Sequence, residues 1–319
     1  MSAGGPRARM YFGESSLMSK VFPEVFQQDH YWNTPYGDEL QRAKWDIEKA
    51  YTVNAGVFLG NSAYFGMVPE LRRVGLPAMY LNSHPQPGNW DGVIFEVARV
   101  ESALVGQPGL GEAEISRYKQ AFANLKQELD PDALPRQPRA LMMGSSAKNF
   151  GYFYIKSFGN DYQIYFPPAG VINASIGFAG ERQDAERILS MDPDIIFLLG
   201  GRNDRVPTES PQEFLRDPRW QGLKAVSQKR VYRMPGGGGL GGLIYQPIYD
   251  RWMAEIAHPD RMKPRARQIM RDYFFTEFNY HLSDDQIDEI LNVDENRGLP
   301  GTERFERNYQ ASNLQEPTK

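Results

Sequence analysis

The chain has 319 residues, of which 41% are hydrophobic, 24% charged and 13% aromatic, the balance of an ordinary globular protein rather than a disordered one. Its 36 basic and 40 acidic residues give a formal net charge of −4, so no overall positive field attracts nucleic acid. Without cysteine, the chain has no disulfide, thiolate metal site or cysteine nucleophile.

Short apolar runs bounded by turn residues alternate with amphipathic stretches along the chain. This alternation predicts an α/β fold with buried, largely parallel strands. The predicted strands are Arg9–Gly13, Gly56–Gly60, Ala78–Asn82, Ala140–Gly144, Tyr162–Phe166, Asp194–Gly200 and Arg230–Met234. Several of them end in Gly, Asn or Ser, which suit the sharp turn that follows a parallel strand.

The 112–129 stretch predicts one long helix with an apolar stripe. The stripe consists of Ile115, Tyr118, Phe122 and Leu125, at spacings of three and four. A proline-rich segment follows it. Apolar residues become sparse after residue 294, where only Leu299, Phe305, Tyr309 and Leu314 could anchor the chain. We therefore predict an N-terminal α/β lobe over 1–111, a bridging helix over 112–130, a C-terminal α/β lobe over 131–293 and a polar tail over 294–319 that drapes over the surface or is disordered.

Segments 46–60 and 184–198 resemble each other in phase, each reading as a helix, a two-residue turn and a buried strand. One copy on each side of the predicted bridging helix indicates two similarly built lobes. Open α/β sheets bind ligands at the carboxyl ends of their strands, so we expect a ligand cleft there. The alternative is that such units occur by chance in any α/β protein.

Histidine and apolar patterns exclude two further classes of protein. The four histidines are scattered, without the closely spaced pair typical of zinc sites, so we expect no resident metal or cofactor. No apolar run reaches about 18 residues, the length that a membrane-spanning helix needs. The positively charged stretch Met1–Arg9 is not followed by an apolar segment, so no secretory signal is visible.

Four motifs follow each other in the second half of the chain. They are DPDII at 192–196, FLRDPRWQGLKAV at 214–226, KRVYRMP at 229–235 and RWMAEIAHPDR at 251–261. Together they resemble the helical-backbone class of ABC-transporter substrate-binding proteins, the periplasmic binders of ferric siderophores, haem and cobalamin. The resemblance implies two Rossmann-like lobes bridged by a long helix, a periplasmic monomer, and delivery of the ligand to an inner-membrane ABC permease. The short region before Asp46 indicates a reduced first lobe.

Loops that follow the strands are expected to line the ligand cleft. The predicted ligand-binding residues are Asn61, Tyr64, Phe65, His84 and Trp90 in the first lobe, and Ser145, Lys148, Tyr152, Tyr154, Arg202, Asn203, Arg205 and Tyr245 in the second. A ferric siderophore is a bulky anion with flat faces. Lys148, Arg202 and Arg205 suit its charge, and the aromatic residues suit stacking. We therefore predict a ferric siderophore as the ligand, with haem or cobalamin next.

The resemblance also implies a surface glutamate on each lobe that meets arginines of the permease. Glu70 and Glu209 are the candidates for these docking residues. No convincing nucleophile and base set is present, so no enzymatic activity is expected. Two alternatives stay open: a chelatase-like enzyme on the same bilobal fold, and an accessory subunit that binds another protein.

Overall fold

The computed structural model describes residues 56–60, 67–80, 90–144, 153–155, 166–178, 182–199, 209–235 and 246–309. Their strands are β1 Phe58–Gly60, β2 Ala78–Tyr80, β3 Arg139–Gly144, β4 Phe153–Ile155, β5 Ile172–Asn173, β6 Arg182–Gln183, β7 Ile195–Leu198 and β8 Val231–Arg233. Their helices are α1 Met67–Arg73, α2 Trp90–Leu104, α3 Pro108–Leu129, α4 Ala185–Met191, α5 Pro211–Arg216, α6 Lys224–Ser227, α7 Gln246–Ala257, α8 Ala266–Phe278, α9 Asp284–Leu291 and α10 Val293–Asn296.

The predicted strands that fall within the described residues are confirmed as β1, β2, β3, β7 and β8. The predicted strand Arg9–Gly13 lies outside the described residues. Of the predicted strand Tyr162–Phe166 only Phe166 is described, and it lies in a turn and packs in the core. Strands β4, β5 and β6 were not predicted, because strands of two or three residues are too short to show a hydrophobic period.

Strands β1 and β2 form a small parallel sheet in the N-terminal part of the chain, with Phe58 opposite Ala78. Helix α1 connects them and buries Val68 and Leu71 against Ala78. A parallel pair needs such a crossover, so this β-α-β unit has the arrangement expected for an α/β lobe.

The second sheet has the strand order β6-β4-β3-β7-β8, and β5 also pairs with β3. Strands β3, β7 and β8 are parallel, as expected, and the unpredicted strand β5 is also parallel to β3. Strand β4 is antiparallel to β3, and β6 is antiparallel to β4. The sheet is therefore mixed, with an antiparallel edge beside its parallel centre.

Side chains of the central strands alternate between two apolar clusters, one on each face of the sheet. On one face, Met142 and Phe197 pack with α3, α7, α8 and α9. On the other face, Leu141 and Ile196 pack with α4, α5 and α6. Trp252 is fully buried on the first face and Trp220 on the second. The result is a three-layer arrangement of helices, sheet and helices.

Helix α3 corresponds to the predicted bridging helix but begins at Pro108 rather than Glu112. Proline is favoured at the first helical position, so it extends the helix beyond its apolar stripe. The N-terminal half of α3 packs against α2 through Ile115 and Tyr118. Its C-terminal end, at Leu125 and Leu129, belongs to the large core of the second sheet. At about 1.5 Å per residue the helix is about 33 Å long.

Residues 294–309 of the predicted tail pack against the core, and two of the residues that could anchor the tail are the ones that do so. Leu299 and Phe305 are buried, and the ring of Phe305 stacks on Trp252 with centroids 6.0 Å apart. Arg304 is also buried and donates hydrogen bonds to the carbonyl oxygens of Glu255 and Pro259. The polar composition of this region does not reveal its burial, because a polar side chain can be buried when it bonds backbone carbonyls. Residues 310–319 lie outside the described residues.

Candidate functional site

Three parallel strands of the second sheet end at the same level. Met143 of β3 lies opposite Leu198 of β7, and Leu198 lies opposite Arg233 of β8. The segments that follow these strands, 145–152, 200–208 and 236–245, therefore leave the sheet from one edge. This is the edge at which open parallel sheets bind their ligands.

The antiparallel strand β4 brings one predicted ligand residue to this edge. Its Tyr154 lies opposite Gly144, the last residue of β3. Neighbouring Phe153 is buried, and its ring meets Trp220 edge to face at 4.8 Å. The backbone of Tyr154 is thus held beside the start of segment 145–152.

The small sheet has a corresponding edge. Gly60 and Tyr80 lie opposite each other at the ends of β1 and β2, so segments 61–66 and 81–89 also leave from a common edge. Trp90 is the first residue of α2, directly after the second of these segments. In each sheet, neighbouring parallel strands thus end side by side.

Most of the predicted ligand-binding residues lie outside the part of the chain that the structure describes. They are Asn61, Tyr64, Phe65, His84, Ser145, Lys148, Tyr152, Arg202, Asn203, Arg205 and Tyr245. For Tyr154 and Trp90 the backbone position alone is described. The assignment of these residues to ligand binding therefore stays a prediction.

A buried pair of polar side chains follows segment 236–245 at the start of α7. Gln246 and Asp250 are each 2% exposed, and the amide of Gln246 donates a hydrogen bond to the Asp250 carboxyl group. Burial raises the pKa of Asp250 well above its usual range, which favours the neutral carboxylic acid. Sequence reasoning missed this pair, although the spacing of four residues in an apolar helix is its signal.

The two predicted docking glutamates lie in different environments. Glu70 is exposed in the first turn of α1. The side chain of Glu209 is only 12% exposed, and its Oε1 lies 3.5 Å from Nη2 of Arg219. The guanidinium of Arg219 in turn lies over the rings of Phe153 and Trp220. A role of either glutamate in docking remains a prediction.

Within the described ranges, no group of three or more His, Asp or Glu side chains is arranged to hold a metal ion. None of the helices described is both long and apolar enough to cross a membrane.

The sequence model of a family described as periplasmic binding proteins matches residues 57–236. No curated protein sequence matches the chain. The match begins just before β1 and ends just after β8, so it includes the parallel strands of both sheets and the helix between them.

Solved structures of binding proteins share the fold. A periplasmic solute binding protein of Veillonella parvula DSM 2008 is 24% identical, with a TM-score of 0.62 over 80% of this chain and 75% of that chain. CeuE of Helicobacter pylori, solved as a Ni–His complex, is 15% identical, with a TM-score of 0.63 over 91% of both chains. The haem-binding protein RhuT of Roseiflexus sp. RS-1 is 16% identical, with a TM-score of 0.53 over 67% of this chain and 81% of that chain. These neighbours confirm the predicted fold class, an α/β protein of the bilobal binding-protein type.

Proposed function

Because the chain belongs to the periplasmic binding protein family, we propose that it is the solute-binding subunit of an ABC importer and carries a metal chelate in a cleft between its lobes. The first choice of ligand is a ferric siderophore, and haem or cobalamin comes next. The protein acts outside the cytoplasm, passes its ligand to the permease of the inner membrane and catalyses no reaction.

The observation that carries this proposal is the common end of β3, β7 and β8, since Met143, Leu198 and Arg233 lie side by side. The segments that directly follow these strands carry the basic residues, and some of the aromatic residues, that are predicted to bind the ligand. Backbone geometry thus supports one binding edge rather than several separate loops.

The chemistry of these segments supports an anionic, flat ligand. Lys148, Arg202 and Arg205 provide the positive charge that a ferric catecholate or carboxylate needs. The proposed stacking residues are Tyr64, Phe65, Trp90, Tyr152 and Tyr154, and the proposed polar contacts are Asn61, His84, Ser145, Asn203 and Tyr245. Aromatic faces and guanidinium groups together suit a conjugated chelate better than a sugar or a free metal ion.

Docking to the permease is assigned to Glu70 in the first lobe and Glu209 in the second. Glu70 is exposed and available for a permease arginine. Glu209 lies beside Arg219 within its own chain, so docking through Glu209 would exchange this arginine for one of the permease.

Titration of tryptophan fluorescence tests the ligand assignment. The purified protein is titrated with a ferric siderophore, the same siderophore without iron, haem and cobalamin, and we expect quenching by the ferric siderophore. Replacing Arg202 and Arg205 with alanine should weaken binding by about tenfold or more per arginine, the loss typical of a hydrogen bond to a charged group.

Arg297→Ala is the matched control, since Arg297 is 64% exposed and pairs with Asp294 far along the chain from these segments. It should bind like the wild type. Quenching by haem or cobalamin alone would contradict the siderophore assignment. Absence of a response to every member of the panel would contradict the proposal of a chelate binder.

A further inference from the structure

Arg233, the last residue of β8, is a fully buried arginine whose side chain joins three separate parts of the chain. Its Nη1 donates a hydrogen bond of 2.9 Å to the carbonyl oxygen of Leu199, and its Nη2 donates one of 2.5 Å to the carbonyl oxygen of Glu209. Its Nε donates to the carboxylate of Glu295 at 2.9 Å.

The two carbonyl groups that Arg233 binds stand at the two ends of segment 200–208. Leu199 directly follows β7 and Glu209 directly precedes the N-cap of α5. One planar, rigid guanidinium therefore sets the distance between the points at which this segment leaves and rejoins the described fold. Lysine cannot replace this geometry, because its ammonium group has no fixed fork.

Helix α10 holds Arg233 in place from the other side. The side-chain oxygen of Asn296 accepts from the backbone N–H of Arg233 at 2.7 Å, and its amide nitrogen donates to the carbonyl oxygen of Arg233 at 2.9 Å. Asn296 is itself buried, 2% exposed. With Glu295 on the guanidinium, both the backbone and the charge of Arg233 are satisfied by α10.

We propose that Arg233 is a positioning residue for ligand binding, which acts by fixing both ends of segment 200–208. It does not touch the ligand. This inference rests on the proposed function, in which Arg202, Asn203 and Arg205 of that segment contact the chelate. A segment whose ends are fixed before binding loses less conformational entropy when the ligand binds. The clamp, which consists of Arg233 and the carbonyl groups of Leu199 and Glu209, therefore raises affinity without adding a contact.

The proposal predicts a kinetic signature. Loosening the clamp reduces the fraction of molecules that are competent to bind, while the bound complex stays the same. The association rate constant should therefore fall and the dissociation rate constant should stay nearly unchanged. A residue that contacts the ligand directly would instead change dissociation.

The main test compares Arg233→Lys with Arg304→Lys by stopped-flow fluorescence with a ferric siderophore. Arg304 is the matched control, since it is also buried and also bonds backbone carbonyls, but those of Glu255 and Pro259 rather than those of Leu199 and Glu209. Both variants should lower the melting temperature. Only Arg233→Lys should slow association, by about tenfold if the competent fraction falls to a tenth.

A second pair of variants tests the proposal if Arg233→Lys fails to fold. Glu295→Gln removes the charge partner of Arg233 and keeps the arginine, whereas Asp294→Asn changes a neighbouring carboxylate that is 90% exposed and pairs with Arg297. Glu295→Gln should slow association in the same sense as Arg233→Lys but less, and Asp294→Asn should not. Equal rates for these two variants would overturn the proposal.

A measurement without ligand separates this inference from the proposed function. Arg202 and Arg205 are trypsin sites, and the rate of cleavage after them in the native protein should rise in Arg233→Lys but not in Arg304→Lys. If the wild type binds no chelate but the cleavage rates differ in this way, the proposed function fails, whereas the inference that Arg233 fixes both ends of segment 200–208 is supported. Equal cleavage and equal association in both variants would show that Arg233 is merely structural.

Discussion

His258 shows how one buried residue joins distant parts of this protein. Its Nε2 lies 3.0 Å from the carbonyl oxygen of Gly170, which is 88 positions away in sequence. Burial lowers the pKa of His258, so the neutral ring is the favoured form. This contact gives His258 a structural role, since it ties the turn before β5 to the end of α7.

Gly170 is required at this position for two physical reasons. Its φ is +65°, which side-chain-bearing residues rarely adopt, and a Cβ would lie 2.9 Å from the His258 ring and from the side chains of Leu129 and Leu134. Gly170→Ala should therefore lower the free energy of unfolding by about 2–4 kcal/mol, the sum of backbone strain and overpacking. Urea denaturation followed by circular dichroism measures this change.

The control for this substitution is Gly177→Ala. Gly177 has a φ of +91° but nothing within 4 Å of its Cβ position, so alanine there costs the backbone term of about 1–2 kcal/mol and no more. Equal losses in the two variants would show that crowding around Gly170 contributes nothing.

At the scale of elements, the C-terminal end of α3 is joined to α7 by a buried group of charges. The guanidinium of Arg251, whose side chain is 5% exposed, donates to the carboxylates of Glu128 and Glu255. Glu128 also accepts from the backbone N–H of Lys263. These bonds tie the long helix to the large core in addition to the apolar contacts of Leu125 and Leu129.

Glu128→Gln should destabilise the protein by about 1.5–3 kcal/mol, the loss typical of a hydrogen bond to a charged group, because Arg251 keeps its second partner, Glu255. Glu112→Gln is the control on the same helix, since Glu112 pairs with Arg99 at 2.5 Å but 59% of its side chain is exposed. Thermal unfolding should show a clear loss for the first variant and little change for the second. A similar melting temperature for both variants would contradict the conclusion that these buried charges join α3 to α7.

The stabilisation of the protein by Glu128 depends on pH. Burial alone would raise the pKa of Glu128, but the bonds from Arg251 and Lys263 outweigh it and lower the pKa. The stabilisation is therefore present above the ordinary glutamate value of about 4.3 and is lost as pH falls through the lowered folded-state pKa. The difference in unfolding free energy between wild type and Glu128→Gln should shrink below about pH 4.

At the scale of the whole molecule, one core unites the region that matches the family with the chain beyond it. The match ends at residue 236, yet Trp252, Leu299 and Phe305 lie in the same apolar cluster as Phe197 of β7. Helices α7 to α10 cover one face of the sheet, so the strands that end at the proposed binding edge are held by residues beyond the family match.

A chain that ends at Asn292 should not keep the native fold. Loss of the buried side chains of Leu299 and Phe305 alone removes about 3–6 kcal/mol of apolar burial, against a total stability of about 5–15 kcal/mol for a typical domain. Near-ultraviolet circular dichroism should show lost tertiary packing. A chain that ends at Tyr309 keeps all described residues and should melt like the wild type, and native behaviour of both chains would contradict the packed role of residues 293–305.

Local chemistry is predictable where one short segment of the chain carries the whole signal. Ser283 and Gln286 form the capping box that their spacing predicts at the start of α9. Asp184 caps α4 in the second copy of the internal repeat, and Asp192 ends that helix in the left-handed conformation. Residues 46–55 of the first copy lie outside the described residues, as do most of the predicted ligand-binding residues.

The sequence by itself determined the α/β class, the parallel central strands, the long helix and the family, because periodicity, caps and motifs are local properties of the chain. Tertiary structure alone decided that Arg233 meets Leu199, Glu209 and Glu295, which lie 34, 24 and 62 positions away. No local pattern marks such partners, since they become neighbours only when β7, β8 and α10 pack around one buried charge that must be satisfied.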